Sequence, residues 1–299
     1  MYKLITQDFD LMPYSNTVSW SDDIDTLGTQ LQFESTIDIG MGSVVSKWIN
    51  GKEDFRGIVK GKSEKRWTFS YTCLDYSFYL KNKVVKQFNN DTASNAINSL
   101  LNESYIKSDI VPIPTKINKI YKTSIADIID DILDQAQQDQ GVKYFKELNG
   151  NILTIKKVEE MRIAPKIILP KDIDINSSIE EMKNKIIITS NSEDNAAILA
   201  TAEDSSEQWW YGVLSDISSV DDKNISQAQN IANNLLKEKN KIFKNTSFEV
   251  EGVFEAETIK ANRMIYLNIG KRLNGFYKIK SSNHTLKGGS HKVNISLEW

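Results

Sequence analysis

From Gln30 to Ile39 apolar and polar residues alternate, with Leu31, Phe33, Ile37 and Ile39 on one parity and Gln30, Gln32, Glu34, Thr36 and Asp38 on the other. A period of two over this length cannot be a helix; it demands a strand with one buried and one wet face. Val18 and Trp20 repeat the pattern just upstream. Trp67, Phe69, Tyr71 and Cys73 repeat it downstream, set inward against Arg66, Thr68, Ser70 and Thr72. Between them, Val44 to Ile49 runs into Asn50-Gly51, a hairpin signal. Short strands punctuated by turns predict a small barrel or sandwich for this first block.

The period then changes. Asp91 is placed to cap a helix whose apolar positions are Ala93, Ala96, Ile97, Leu100 and Leu101. A second helix is predicted after Thr123 or Ser124, with Ile125, Ile128, Ile129, Ile132, Leu133 and Ala136 on one face and Gly141 at its end. Strand candidates Val142 to Phe145 and Ile152 to Ile155 are joined across Asn149-Gly150. The stretch from Ala164-Pro165 to Leu169-Pro170 reads as a connection. Beyond it strands return: Lys185 to Thr189, Ala197 to Thr201, Gln208 to Leu214, Phe248 to Phe254 and Met264 to Ile269. One helix, with Ile225, Ala228, Ile231, Ala232 and Leu235 on a face, interrupts them. A hairpin around Lys287-Gly288-Gly289 leads to Val293, Ile295, Leu297 and Trp299, which alternate with Asn294, Ser296 and Glu298.

At about 150 residues per domain, 299 residues make roughly two or three compact units. With 37 Lys plus Arg against 40 Asp plus Glu, the net charge is −3, which argues against a protein steered to nucleic acid by bulk positive charge. No apolar run is long enough for a transmembrane helix, and residues 1–8 lack the zones of a signal peptide. Cys73 is the only cysteine, so an internal disulfide framework and a multi-cysteine metal site are excluded.

Motif candidates give little chemistry. Gly57-Ile58-Val59-Lys60-Gly61-Lys62-Ser63 has one residue too few for a phosphate-binding loop and leads into a strand instead of a helix. Gly40-Met41-Gly42 has no third glycine in register; both stretches are read as turns. His284 and His291 flank the Gly288-Gly289 turn and could face each other across it, but two imidazoles are half a metal site, and the reading is of polar hairpin residues. No nucleophile and orienting carboxylate accompany them. Asp127, Asp130, Asp131 and Asp134 sit opposite the isoleucine stripe, as a solvated helix face does. Trp209, Trp210 and Tyr211 form the strongest aromatic cluster. Consecutive strand residues point to opposite faces, so one tryptophan is exposed or covered by another subunit or domain. A sugar-stacking platform is the rival reading. No cofactor and no metal are expected.

Three stretches, in this order, carry a resemblance. Val18-Ser19-Trp20-Ser21 is followed by Leu31-Gln32-Phe33-Glu34. Phe55-Arg56-Gly57-Ile58-Val59 is followed by Tyr71-Thr72-Cys73-Leu74-Asp75-Tyr76-Ser77-Phe78-Tyr79-Leu80 and the helix beginning Asp91-Thr92-Ala93. Gly275-Phe276-Tyr277-Lys278-Ile279-Lys280 is followed by His284 and Val293-Asn294-Ile295-Ser296-Leu297. The order resembles the baseplate hub proteins of contractile phage tails and phage-tail-like bacteriocins, of the XkdQ/YqbQ type. These are distant relatives of the phage late control protein D and of the hub part of type VI secretion spikes. The N-terminus is shorter than in these proteins, and Gln30 stands where they often carry a basic residue.

The resemblance implies an α+β, β-rich fold in which two small β-barrel-like domains, residues 1–88 and 173–299, flank a middle α+β domain, residues 89–172, and three copies form a ring. It implies a structural hub without enzymatic activity, joining the hexameric tail tube to the trimeric central spike as a symmetry adapter. The implied partners are two further copies of the chain, the tail tube protein, the central spike protein, other baseplate proteins and the tape measure protein, with no membrane insertion and no specific nucleic-acid binding. The implied location is the baseplate of a virion or tail-like particle, assembled in the bacterial cytoplasm. Trp209, Trp210 and Tyr211 are then candidates for a subunit or partner interface. A cell-wall-binding or wall-degrading tail protein is the alternative.

Overall fold

A computed structural model describes residues 2–7, 9–104, 106–158, 161–190, 197–220, 222–270 and 272–299. Strands β1 (Tyr2–Thr6), β2 (Ser15–Asp23), β3 (Thr26–Ser35), β4 (Val44–Ile49), β5 (Lys52–Glu64) and β6 (Phe69–Asp75) come first. β7 (Lys83–Gln87), helix α1 (Ala93–Asn102), β8 (Lys107–Ile110), β9 (Ile120–Ser124), helix α2 (Ile125–Gln140), β10 (Tyr144–Asn149) and β11 (Ile152–Lys157) follow. The remainder holds β12 (Lys185–Ser190), β13 (Ile198–Glu203), α3 (Ser205–Tyr211), β14 (Ser215–Val220), α4 (Ala228–Lys239), β15 (Phe243–Phe254), β16 (Met264–Ile269), β17 (Leu273–Lys287) and β18 (Ser290–Glu298). Contacts divide the chain into two compact units. One comprises residues 1–134, 143–174 and 246–298, and the other residues 135–142, 175–245 and 299.

The first unit is built on one continuous sheet that curls into a half-barrel, with the order β15–β18–β17–β2–β3–β6–β5–β4–β1. The first and last thirds of the sequence therefore share a sheet. Their seam is antiparallel pairing of β17 with β2, from Ser281 opposite Asp23 to Lys287 opposite Thr17. The alternation read from the sequence becomes a stripe of cross-strand neighbours: Leu286 beside Val18, Val18 beside Phe33, Phe33 beside Tyr71. With Trp20, Leu31, Cys73, Val45, Phe55 and Val59 they form the core of the sheet. Asn50 and Gly51 both take positive φ, 51° and 83°, the two-residue turn that the β4–β5 hairpin requires.

Three local readings are corrected. Trp67 is 75% exposed, because Lys65 to Thr68 is the turn of the β5–β6 hairpin and the inward alternation begins only at Phe69. The Gly57–Gly61 stretch is not a turn but lies within β5. A Cβ at Gly57 would sit 2.3 Å from the Leu74 carbonyl oxygen, so glycine there allows close approach of β6. Thr92, not Asp91, caps α1, its hydroxyl accepting from the Asn95 N–H at 3.3 Å. Gly40 to Gly42 is a turn as read, with Gly42 at φ 79°.

The middle helices bury the stripes their periodicity predicts: Ala93, Ala96, Ile97, Leu100 and Leu101 in α1, and Ile125, Ile128, Ile129, Ile132, Leu133 and Ala136 in α2. Ser124 caps α2 by accepting from the Asp127 N–H, and Gly141 follows it at φ 66°. In the second unit α4 covers one face of the sheet β13–β12–β14. Ala228, Ile231 and Ala232 pack there on Ile186, Ile188, Ala200, Ala202 and Val220. Ile225, expected on the buried face, precedes α4 and is exposed.

Candidate functional site

The first unit encloses a lattice of charges no sequence motif announced. β4 and β5 fall out of simple register after Lys47: Lys47 opposes Phe55 and Trp48 opposes Glu53, which leaves Asp54 as the extra residue of a bulge. The bulge brings Asp54 to Lys47, whose Nζ lies 2.7 Å from Oδ2. Lys260 Nζ lies 2.8 Å from Asp54 Oδ1 and 3.6 Å from Glu147 Oε1, and Glu147 also accepts from Arg263. Strands β4, β5 and β10 and the segment before β16 thus meet in one ion cluster. Beside it is a cleft of 420 Å³ lined by residues including Glu53, Asp54, Glu147, Glu257, Lys260 and Arg263.

The partners decide the electrostatics. Burial lowers Lys47 to about 8, more than the Asp54 carboxylate 2.7 Å away can offset. Lys260 is also largely enclosed, and burial alone would lower it too, but Asp54 and Glu147 together outweigh that and raise it. Burial would likewise raise Asp54; the ammonium groups of Lys260 and Lys47 hold it well below the carboxylate range instead. Asp22 has Lys260 near and two hydrogen-bond donors, Ala261 N–H at 2.7 Å and Ser282 Oγ at 3.0 Å, both on Oδ1. Its Oδ2 is buried without a partner, and burial raises it to about 6.

Lys47 also places its Nζ 3.2 Å from the centroid of the Trp20 ring, and that ring stacks on His284 at 4.7 Å and 8°. His284 and His291 do face each other across the β17–β18 hairpin, with His284 Nδ1 2.9 Å from His291 Nε2. They are core residues, however, and not surface polar ones, at 1% and 6% exposure. The parity was there to be read. His284 falls in step with Leu286, and His291 with Val293, Ile295 and Leu297, all buried.

Trp209, Trp210 and Tyr211 lie in the second unit, on helix α3 and not on a strand. Asp204 caps the helix, accepting from Ser206 N–H at 3.0 Å and Glu207 N–H at 3.2 Å, and Gly212 ends it at φ 75°. The Asp-Ser-Ser-Glu start was the missed signal. Fully buried Asn184 fixes the helix end, donating to the Gly212 carbonyl at 2.7 Å and accepting from Leu214 N–H at 2.9 Å. Trp209 and Trp210 are 76% and 72% exposed, and their rings stand at 87° to each other, a poor platform for one flat sugar chain.

Three of the α2 carboxylates hold local partners. Asp130 pairs with Lys146, Asp131 Oδ1 with Lys119 at 3.0 Å, and Asp127 accepts from the Thr123 hydroxyl. Among the described residues no three His, Cys, Asp or Glu side chains are grouped to hold a metal ion, and no helix is long and apolar enough to cross a membrane.

A family described as YQBQ-like matches residues 18–298. YqbQ, an uncharacterized protein of Bacillus subtilis, is 28% identical over 85% of this chain and 80% of its own. XkdQ of the phage-like element PBSX, from the same organism, is 26% identical over the same shares. Among solved structures, a tail protein from Neisseria meningitidis superposes with a TM-score of 0.74, at 10% identity over 100% of this chain and 96% of that one. The E. coli c3393 protein, a type VI secretion component structurally similar to the T4 tail proteins gp27 and gp5, gives 0.54 at 9% identity, over 99% of this chain and 76% of that one. The fold is that of phage tail proteins.

Proposed function

The chain belongs to the YQBQ-like family, and from that premise we propose that it is the structural hub of a contractile-tail baseplate, a ring of three copies joining the hexameric tail tube to the trimeric spike. The observation that carries the reading is the seam of β2 and β17. It fuses the strands of the first and last thirds into one rigid half-barrel sheet, to which the ion cluster ties the middle hairpin β10–β11. A part that transmits geometry needs such cross-bracing, and it needs no active site. Three copies match threefold symmetry below and present repeated strand surfaces to the sixfold tube above. Two further copies, the tube, the spike, other baseplate proteins and the tape measure protein are its partners, and the assembled tail particle is its location. The exposed Trp209–Trp210 pair on α3 suits a subunit or partner contact, since large aromatic residues are enriched where interfaces form.

Co-assembly tests this. Tubes polymerised with this chain present should carry one threefold cap at one end in negative-stain images, and cap-free tubes at saturating protein would refute the role. A wall-binding or wall-degrading tail protein would instead sediment with peptidoglycan or clear it in a zymogram.

A further inference from the structure

In the second unit α4 packs on one face of the sheet β13–β12–β14, against Ile186, Ile188, Ala200, Ala202 and Val220. Side chains alternate along a strand, so the residues between these point to the other face. That face carries Ile187 and Thr189 of β12, Thr201 of β13 and Ile217 and Ser219 of β14. Ile187 lies directly beside Ile217, and a bulge after Ile188 sets Ile198 opposite Thr189, on the same side. Ile198 and Ile217 are 68% and 66% exposed. Helix α3 continues the surface: Glu203, at the end of β13, pairs with Lys185 of β12 at 3.0 Å and accepts from the Gln208 side chain. Exposed Trp209, Trp210 and Val213 therefore border the isoleucines.

The size and chemistry of the patch select its occupant. A whole tryptophan covers about 150–250 Å², so two of them with two isoleucines and a valine leave several hundred Å² of apolar surface, on the order of the roughly 800 Å² that each partner gives to a stable complex. Lys185 and Glu203 cancel each other, and the isoleucines, threonines and serines around them bring no charge that would single out a polyanion or a basic partner. The sheet edges are less open than the face. Gln229 of α4 donates to the Thr201 carbonyl at 3.3 Å, and Asp216 accepts from the Ile217 N–H at 3.0 Å, which counts against an added peptide strand. An uncharged aliphatic and aromatic face suits a permanent contact between copies, because such interfaces resemble a domain core cut in two. We propose that Ile187, Ile198 and Ile217, together with Trp209 and Trp210, form the surface by which one copy of this chain docks on the next. The inference names the contact that closes the ring proposed above, and it rests on that reading.

Native mass of the full chain against concentration tests it. The double variant Ile198→Lys with Ile217→Lys should need at least about a hundredfold more protein than the wild type to assemble, since each contact would bury unpaired ammonium groups. If the wild type assembles only on supplied tail tube, the same variant should leave the tubes uncapped. Hydrogen exchange in α4 should match the wild type and show that the second unit is still folded. Ile217→Cys gives a readout that introduces no charge. Cys73 is buried, so a maleimide reports on position 217, and its reaction should slow at least tenfold on assembly. A wild type that assembles beside an equally assembled lysine variant, or a cysteine whose reaction does not slow, would overturn this surface and leave the hub role standing. A wild type that stays monomeric with and without tube would remove both.

Discussion

Lys260 brings its ammonium nitrogen 2.8 Å from Oδ1 of Asp54, the bulged residue of β5, in a setting where each is largely enclosed. Asp54 also holds Lys47, so Asp54→Ala leaves buried Lys47 without its close carboxylate and Lys260 with Glu147 at 3.6 Å. Leaving a buried charge uncompensated costs about 3–5 kcal/mol, and urea unfolding should show a loss in that range. A loss under about 1 kcal/mol would mean that the cluster is wet and weak.

Two glycines of the same strand should behave oppositely. A Cβ at Gly57 meets the Leu74 carbonyl oxygen at 2.3 Å and Phe55 at 2.6 Å, both fixed by the sheet. At Gly61 the nearest neighbour is Thr72 Cβ at 3.7 Å, an ordinary contact. Gly57→Ala should therefore destabilise by about 2–4 kcal/mol, whereas Gly61→Ala should stay within about 1 kcal/mol of wild type. Thermal unfolding of the two variants side by side decides it.

Asp22 and the histidines pull the pH dependence in opposite directions. Asp22 keeps its proton to about pH 6 in the native state and releases it near 3.8 when unfolded, so its contribution falls as pH rises between those values. The lowered histidines contribute above 6.5 and lose that contribution as pH falls towards 4. Asp22→Asn keeps an acceptor for Ala261 and Ser282 but cannot ionise. Relative to wild type it should be more favourable at pH 7.5 than at pH 4, by about 2 kcal/mol. An equal difference at both pH values would show that Asp22 is ionised normally.

Trp209→Ala with Trp210→Ala removes side chains that bury little within the chain. Stability should change by under about 0.5 kcal/mol, while association with further copies or with tail partners is lost. Unchanged assembly of the double variant would place the interface elsewhere.

The strands of the half-barrel were legible because its inner face alternates strictly. Val18, Trp20, Leu31, Phe33, Tyr71 and Cys73 declare their parity residue by residue, and each is buried as declared. The α1 and α2 stripes were legible for the same reason, at the helical period. Trp209 to Tyr211 misled because aromatic residues favour strands, while the short helix that holds them is set by Asp204 and by Asn184, twenty residues away. The ion cluster was invisible for a different cause. Lys47, Asp54, Glu147, Lys260 and Arg263 come from distant stretches, and only a bulge and the strand order bring them together.

The native mass of the purified chain, followed over a range of concentrations with negative-stain images of the same sample, tests the hub role most directly. A mass three times the 34.0 kDa chain, imaged as a threefold ring with a central opening, is the predicted result. A chain that stays monomeric at every concentration, and also fails to form threefold caps when tail tube is supplied, would contradict it.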